Sequence, residues 1–121
     1  MSATVGIVGL GVMGSRIAGR LLGSGHTVVG TNRTPERAAP LVERGLVWRD
    51  TPRQVAAAAD VVLSSVSDDA ALESVATGGD GILAGLRPGT VYAEMSTVSL
   101  QVSQGLAQRV RGLGAEMLDA P

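Results

Sequence analysis

The segment Gly9-Leu10-Gly11-Val12-Met13-Gly14 has glycines at the spacing G-x-G-x-x-G, and it is the strongest local indication of the fold. The apolar, β-branched run Thr4–Val8 precedes it and predicts a buried strand. Residues 13–22 place their apolar side chains on one helical face, and Thr27–Thr31 predicts a second strand. A strand, a glycine loop, a helix and a second strand within about 30 residues form the context in which this motif indicates a dinucleotide site.

Each glycine of the motif has a separate predicted task. We expect Gly9 to permit a tight turn, Gly11 to let a pyrophosphate approach the main chain, and Gly14 to let the helix pack close to the sheet. The helix N-terminus would present unpaired N–H groups and a partial positive charge to the phosphates. The alternative is a glycine-rich turn without a ligand, but a turn alone does not need three glycines at this spacing.

Short apolar runs and longer segments of helical period alternate through the rest of the chain. Further strands are predicted at residues 46–48, 61–65, 91–95 and 115–118, with helical segments between them. Right-handed crossovers then give an α/β fold, a Rossmann-type doubly wound parallel sheet in strand order 3-2-1-4-5-6. We expect residues 1–121 to form a single domain.

Composition narrows the possible functions. The 121 residues include 10 basic and 11 acidic side chains, with a net charge of −1 and no cysteine. Nucleic acid and anionic membranes are therefore unexpected partners, and thiolate zinc sites are excluded. No apolar run approaches the roughly 18 residues needed to span a bilayer and no signal peptide is evident, so a cytoplasmic protein is expected. All basic residues are arginines, so no lysine is available as an acid or base.

The residues after the second strand indicate which nucleotide is bound. Sites for NAD or S-adenosylmethionine usually have Asp or Glu there to hold ribose hydroxyls, whereas this chain has Asn32-Arg33-Thr34. A guanidinium group can pair with a 2′-phosphate through charge-assisted hydrogen bonds. We therefore expect NADP to be preferred over NAD. The alternatives are a solvated surface arginine at Arg33 and a helix N-cap at Thr34.

Ligands on this architecture lie beyond the carboxyl ends of the strands, near the switch point between strands 1 and 4. Hydroxyl side chains follow the fourth and fifth strands at Ser65, Ser67, Ser96 and Thr97. These hydroxyls could reach the nicotinamide ribose or a substrate, but helix capping is the favoured alternative at Ser67 and Ser99. His26, the only histidine, is expected at the opposite edge of the sheet in a structural role, and no partner can be named for Glu94.

Several stretches together resemble one known family. They are the glycine motif, Leu21-Leu22, Gly25-His26, Asn32-Arg33-Thr34-Pro35, Glu94-Met95-Ser96-Thr97-Val98-Ser99 and Leu118-Asp119-Ala120-Pro121. This set is similar to the N-terminal domain of the β-hydroxyacid dehydrogenases, which include 3-hydroxyisobutyrate dehydrogenase, tartronate semialdehyde reductases and 6-phosphogluconate dehydrogenase. The last two stretches resemble the family's Asp-x-Ser-Thr segment and the start of its substrate-binding signature, from which the related imine reductases depart. Ser67, Glu94 and Leu100 differ from the residues frequent in the family.

The resemblance implies which residues contact ligands. The cofactor contacts are Gly9, Leu10, Gly11, Val12, Met13, Gly14, Asn32, Arg33, Thr34, Ser65, Val66 and Thr97, and Ser96 is the substrate contact. The implied reaction is hydride transfer between nicotinamide and a small 3-hydroxy acid or its aldehyde or keto form.

In the family, a lysine and an all-helical domain complete the active site, and this sequence contains neither. The chain alone is therefore expected to be inactive, without a catalytic residue or a metal ligand of its own. A sheet edge left uncovered after the sixth strand predicts a homo-oligomer. A non-catalytic NADP(H)-binding or assembly module and an imine reductase-like enzyme are the alternatives.

Overall fold

A computed structural model of the protein describes residues 3–96 and 98–119, in which strands and helices alternate. The strands are β1 Thr4–Val8, β2 Thr27–Thr31, β3 Val47–Trp48, β4 Val61–Ser64, β5 Val91–Glu94 and β6 Glu116–Asp119. The α-helices are α1 Val12–Gly23, α2 Ala39–Glu43, α3 Pro52–Ala58, α4 Asp69–Ala76, α5 Ile82–Gly85 and α6 Leu100–Gly112. A 3-10 turn, Pro35–Ala38, leads into α2.

The strands form one sheet in the order β3-β2-β1-β4-β5-β6, and every neighbouring pair is parallel. This result confirms the predicted α/β class and the predicted strand order. The chain leaves β1 in one direction across the sheet and returns to β4 on its other side, so the loops after β1 and β4 diverge and open a crevice. The register pairs Val8 with both Thr31 and Ser64, and Ser64 with Glu94.

Each face of the sheet has its own hydrophobic core, because successive strand residues point to opposite faces. On one face, α1 and α2 contribute to a cluster with Ile7, Val28, Ala18 and Leu41. On the other face, the helices from α3 onward cover a cluster with Val62, Tyr92, Val55, Leu72 and Val110. Helices on both faces explain why the strands are almost continuously apolar in sequence.

Side chains at the helix ends fix where several helices begin. The Thr51 hydroxyl accepts a hydrogen bond from the Gln54 N–H (3.2 Å) at the start of α3. The Ser99 hydroxyl accepts one from the Val102 N–H (3.3 Å) at the start of α6, as its predicted capping role requires.

One predicted cap is wrong, and another has the predicted position without the expected hydrogen bond. Asp68 rather than Ser67 caps α4, because its carboxylate accepts a hydrogen bond from the Ala71 N–H (2.8 Å). Thr34 does precede the 3-10 turn as its N-cap residue, with Pro35 next, but its hydroxyl makes no capping hydrogen bond. Within the described residues, no helix is long and apolar enough to cross a bilayer.

Candidate functional site

The structure brings the predicted site residues together at one edge of the sheet. The glycine motif follows β1, Asn32-Arg33-Thr34 follows β2, Ser65-Val66 follows β4 and Ser96 follows β5. These strands are parallel, so their carboxyl ends lie at the same edge. Thr97, the remaining predicted contact, lies outside the described residues. His26 lies between α1 and β2, at the opposite edge, as predicted.

The glycine loop can follow its path only because two of its residues lack side chains. Gly9 has φ +100°, and a Cβ there would lie 2.1 Å from the Ser65 carbonyl oxygen. A Cβ at Gly14 would lie 1.9 Å from the Gly9 carbonyl oxygen, whereas the nearest side-chain atom of β1, Ile7 Cγ2, is 3.7 Å away. Gly14 therefore permits the helix to approach the loop's own main chain more than the sheet.

Gly11 and the first turn of α1 present open main chain. A Cβ at Gly11 would meet no atom within 4 Å. Gly11 is the N-cap of α1, no side chain caps this helix within the described residues, and its first turn contains no acidic residue. The first N–H groups of an α-helix have no acceptor inside the helix, and here they belong to Val12, Met13 and Gly14. Because Val12 and Met13 are 71% and 57% exposed, this helix end is suited to an anion.

Leu10 and Asn32 hold the loop in place. The Leu10 side chain is buried, and its N–H donates to Asn32 Oδ1 (2.8 Å). The Asn32 amide nitrogen donates in turn to the Thr34 carbonyl oxygen (3.0 Å). One side chain therefore ties the glycine loop to the segment after β2, and the Leu10 N–H is already occupied. Sequence reasoning missed this bridge, since Leu10 and Asn32 are 22 residues apart.

Arg33 and Thr34 project from the segment after β2 into solvent. Both residues are exposed, and the Arg33 guanidinium has no hydrogen bond or ion pair with the described residues. An accessible guanidinium beside the glycine loop is available to a phosphate group. A solvated arginine without a ligand would look the same, so the role of Arg33 stays a prediction.

The ends of β4 and β5 carry a buried polar network, which consists of Ser64, Tyr92, Glu94, Ser96 and the Val66 main chain. Glu94 is 0% exposed, and its carboxyl group accepts hydrogen bonds from the Ser64 hydroxyl and the Ser96 N–H. The Tyr92 and Ser64 oxygens are 2.6 Å apart. The Ser96 hydroxyl accepts a hydrogen bond from the Val66 N–H (2.7 Å).

The buried position of Tyr92 raises the pKa of its hydroxyl group. Burial raises the pKa of its phenol far above the usual 10.0, and Glu94 raises the pKa further, while the hydrogen bond with Ser64 acts in the opposite direction. Tyr92 therefore keeps its proton and remains a hydrogen-bond donor within the network. Tyr92 and Glu94 are two residues apart on β5, so they share a face, but nothing in the sequence identified Ser64 as their partner.

Two depressions lie along α6 and contain none of the predicted site residues. One, of about 600 Å³, is lined by Leu100, Ser103, Gln104, Ala107, Gln108, Arg111 and Met117. The other, of about 300 Å³, lies between α4 and α6. The glycine loop lies instead where the strand order reverses, and its exposed main-chain N–H groups make it the better candidate for a ligand.

Comparisons with known proteins identify the family of this chain. The family model described as the NAD binding domain of 6-phosphogluconate dehydrogenase matches residues 4–121. The cytokine-like nuclear factor N-PAC of Homo sapiens is 39% identical over 117 residues, which are 97% of this chain and 21% of that protein.

Two solved structures share the fold closely. The structure of Psf3 in complex with NADP+ and 2-OPP has a TM-score of 0.91 at 31% identity, over 97% of this chain and 42% of that one. The 3-hydroxyisobutyrate dehydrogenase of Mycobacterium tuberculosis, solved with L-serine, has a TM-score of 0.89 at 28% identity, over 100% of this chain and 40% of that one. This chain therefore belongs to the family of NAD-binding domains of 6-phosphogluconate dehydrogenase, in agreement with its resemblance to the β-hydroxyacid dehydrogenases.

Proposed function

We propose that this chain binds NADP(H) and serves an oxidoreductase that transfers a hydride between nicotinamide and a small 3-hydroxy acid or its aldehyde or keto form. The observation that carries the proposal is the uncapped N-terminus of α1 with open space at Gly11, next to the exposed Arg33. The matching NAD-binding family and the NADP+ in the Psf3 structure support the same cofactor class.

The residues after β1 and β2 fit the phosphates of such a cofactor. The N–H groups of Val12 and Met13 suit the pyrophosphate, because they lie at a helix N-terminus and have no competing acidic side chain in the first turn. Arg33 and the uncapped Thr34 hydroxyl suit a 2′-phosphate. Asn32 and the Leu10 N–H, which are bonded to each other, would keep the two phosphate sites in a fixed relation.

The residues after β4 and β5 would hold the nicotinamide half and the substrate. We assign Ser65, Val66 and Thr97 to the cofactor and Ser96 to the substrate, on the basis of the family resemblance. When bound, the nicotinamide ring supplies the redox chemistry by accepting or giving a hydride. The chain itself binds and orients the reactants.

We infer that the acid or base that exchanges the substrate proton is not among residues 1–121. The resemblance implies a lysine as acid and base, and all ten basic residues of this chain are arginine. The chain spans about a fifth of N-PAC and about two-fifths of the two solved structures. We infer a single cofactor domain that does not turn over substrate alone.

We also infer that the domain associates with itself. Strand β6 forms one edge of the described sheet, and its Leu118 side chain is 56% exposed. An open edge strand with an apolar side chain is a surface that favours self-association. Sedimentation at high concentration measures this directly, and a clean monomer would contradict it.

Calorimetric titration with NADPH and NADH tests the cofactor assignment. Hydrogen bonds between the 2′-phosphate and Arg33 predict that NADPH binds about ten- to a hundredfold more tightly than NADH. Arg33→Ala should narrow this difference. Arg20→Ala removes the same charge from the last turn of α1, at the opposite edge of the sheet, and should leave the difference unchanged. Equal affinities of the unmutated protein for the two cofactors would rule out the NADP preference.

A non-catalytic NADP(H)-binding module is the second candidate. It is favoured by the similarity to N-PAC, whose name describes a nuclear factor and not a dehydrogenase, and by the absence of lysine. Both candidates require dinucleotide binding. Turnover of small 3-hydroxy acids with NADP+ by this chain would contradict the second candidate, and the inferred inactivity of the isolated domain with it.

A further inference from the structure

The buried carboxyl group of Glu94 joins three segments of the candidate site. It is 0% exposed, and within the described residues no arginine pairs with it. Its hydrogen-bond donors are the Ser64 hydroxyl at the end of β4 and the Ser96 N–H after β5, with the Tyr92 hydroxyl at 3.4 Å. A buried carboxyl group needs such donors, since its desolvation is otherwise uncompensated. Glu94 is thus surrounded by groups that fix its position.

The two oxygens of Glu94 have different partners. Oε2 accepts from Ser64, which also contacts the Tyr92 hydroxyl (2.6 Å) in the interior of the protein. Oε1 accepts from the Ser96 main chain at the edge of the sheet. The first oxygen therefore fixes the carboxyl group in the core, and the second holds the segment that follows β5.

Ser96 in turn holds Val66, which lies next to Gly9 of the glycine loop. The Ser96 hydroxyl accepts the Val66 N–H (2.7 Å), and a Cβ built on Gly9 would lie 3.5 Å from Val66 Cγ1. Since the Ser96 oxygen is an acceptor in this bond, its own proton remains available for donation. Ser96 is only 4% exposed, and it makes no bond as a donor within the described residues. The network therefore holds the Ser96 hydroxyl as a buried, unused donor beside the loops that follow β1 and β4.

We propose that Glu94 is a positioning residue for the nicotinamide half of the site, acting through Ser96 and Val66. This inference rests on the proposed dinucleotide function. The Ser96 hydroxyl would meet an acceptor oxygen of the substrate, such as a carboxylate oxygen, whereas Val66, which Ser96 holds through its N–H, would meet the nicotinamide half of the cofactor. The adenosine half is held by the segment after β2 and does not depend on Glu94.

Two ligands separate a positioning role from a general structural one. NADPH contains both halves of the cofactor, whereas adenosine 2′,5′-bisphosphate contains only the adenosine half. Glu94→Gln preserves the size of the side chain but leaves one acceptor oxygen, which cannot serve both Ser64 and Ser96. Ser96→Ala leaves Glu94 intact and removes the acceptor of the Val66 N–H. Ser103→Ala, at another buried serine in α6, is the matched control.

The affinities of the four proteins for both ligands would be measured by calorimetry. Glu94→Gln and Ser96→Ala should weaken NADPH binding about five- to tenfold, the equivalent of about one hydrogen bond, and leave adenosine 2′,5′-bisphosphate within about twofold. Ser103→Ala should change neither affinity.

The possible contrary results are distinct. Equal weakening of both ligands would show that the network acts through the whole fold, and unchanged NADPH binding would show that it does not act on the site; either result overturns the positioning role. Failure of the unmutated protein to bind either ligand would overturn the proposed function itself. Circular dichroism verifies folding, and if Glu94→Gln does not fold, Ser96→Ala decides, since it leaves the buried carboxyl group in place.

Discussion

The glycine loop and the ends of β4 and β5 lie at the same edge of the sheet but are built in opposite ways. The loop presents main-chain N–H groups next to exposed side chains, and Gly11 has open space where a side chain would be. The ends of β4 and β5 present side chains, and Ser64, Glu94 and Ser96 are all buried and hydrogen-bonded to one another or to the main chain.

This difference determines which substitutions damage each region. The loop works because atoms are missing, so added atoms should disrupt it, and the effect depends on which glycine receives them. The strand ends work because their polar atoms are paired, so removing a proton or a hydrogen-bond partner should disrupt them. The following predictions test this contrast, beginning with the largest effect.

Gly14→Ala should produce the largest loss of stability. Its Cβ would lie 1.9 Å from the Gly9 carbonyl oxygen, and main chain cannot move away as a flexible side chain can. We expect the free energy of unfolding, measured by urea denaturation, to fall by about 3 kcal/mol, the upper range for overpacking. Gly105→Ala in α6 is the control, since a Cβ there meets nothing within 4 Å. An unchanged midpoint for Gly14→Ala would show that the close approach is not required.

Alkaline pH should destabilise the protein through Tyr92. Its pKa is raised in the folded state, mainly by burial, while the unfolded chain has the ordinary value of 10.0. Above that pH the unfolded chain loses the proton and the folded protein keeps it, so unfolding releases a proton. The free energy of unfolding should then fall by about 1.4 kcal/mol per pH unit above about pH 10.

This effect can be isolated because the chain contains one tyrosine, no cysteine and no lysine. Urea denaturation at pH values from about 9 to 11 measures the slope, and Tyr92→Phe should abolish it. The ultraviolet absorbance of tyrosinate provides a direct comparison in the same samples. Appearance of tyrosinate near pH 10 in protein that is still folded would contradict the assigned burial.

Gly11→Ala should have a smaller effect, mainly on binding. Its φ is −72° and its surroundings are open, so alanine fits the fold, and the free energy of unfolding should fall by no more than about 1 kcal/mol because alanine is a poorer N-cap than glycine. A methyl group next to the N–H groups of α1 should nevertheless hinder a pyrophosphate and weaken NADPH binding about fivefold, which corresponds to about 1 kcal/mol. Gly105→Ala again serves as the control. Full affinity in Gly11→Ala would place the phosphates elsewhere.

Local signals in the sequence predicted most of the fold. Alternating apolar runs and helical segments, together with the handedness of crossovers, gave the correct strand order. Caps formed by residues a few positions apart, at Thr51 and Ser99, were likewise predictable. The cap of α4 was favoured at Ser67, one of three neighbouring side chains that could serve, with Asp68 and Asp69; only the folded main chain selects Asp68.

The glycine spacing was enough to predict a tight turn and a helix N-terminus after β1, since both are specified by residues next to one another in sequence. The hydrogen bond from the Leu10 N–H to Asn32, and the bonds by which Glu94 joins Ser64 to Ser96, depend instead on how the strands pack together. Leu10 and Asn32 are 22 positions apart in sequence, and Ser64 and Glu94 are 30 apart. Strand order and register bring each pair together. A local pattern specifies a conformation, but a buried polar group finds its partner only after the strands have paired.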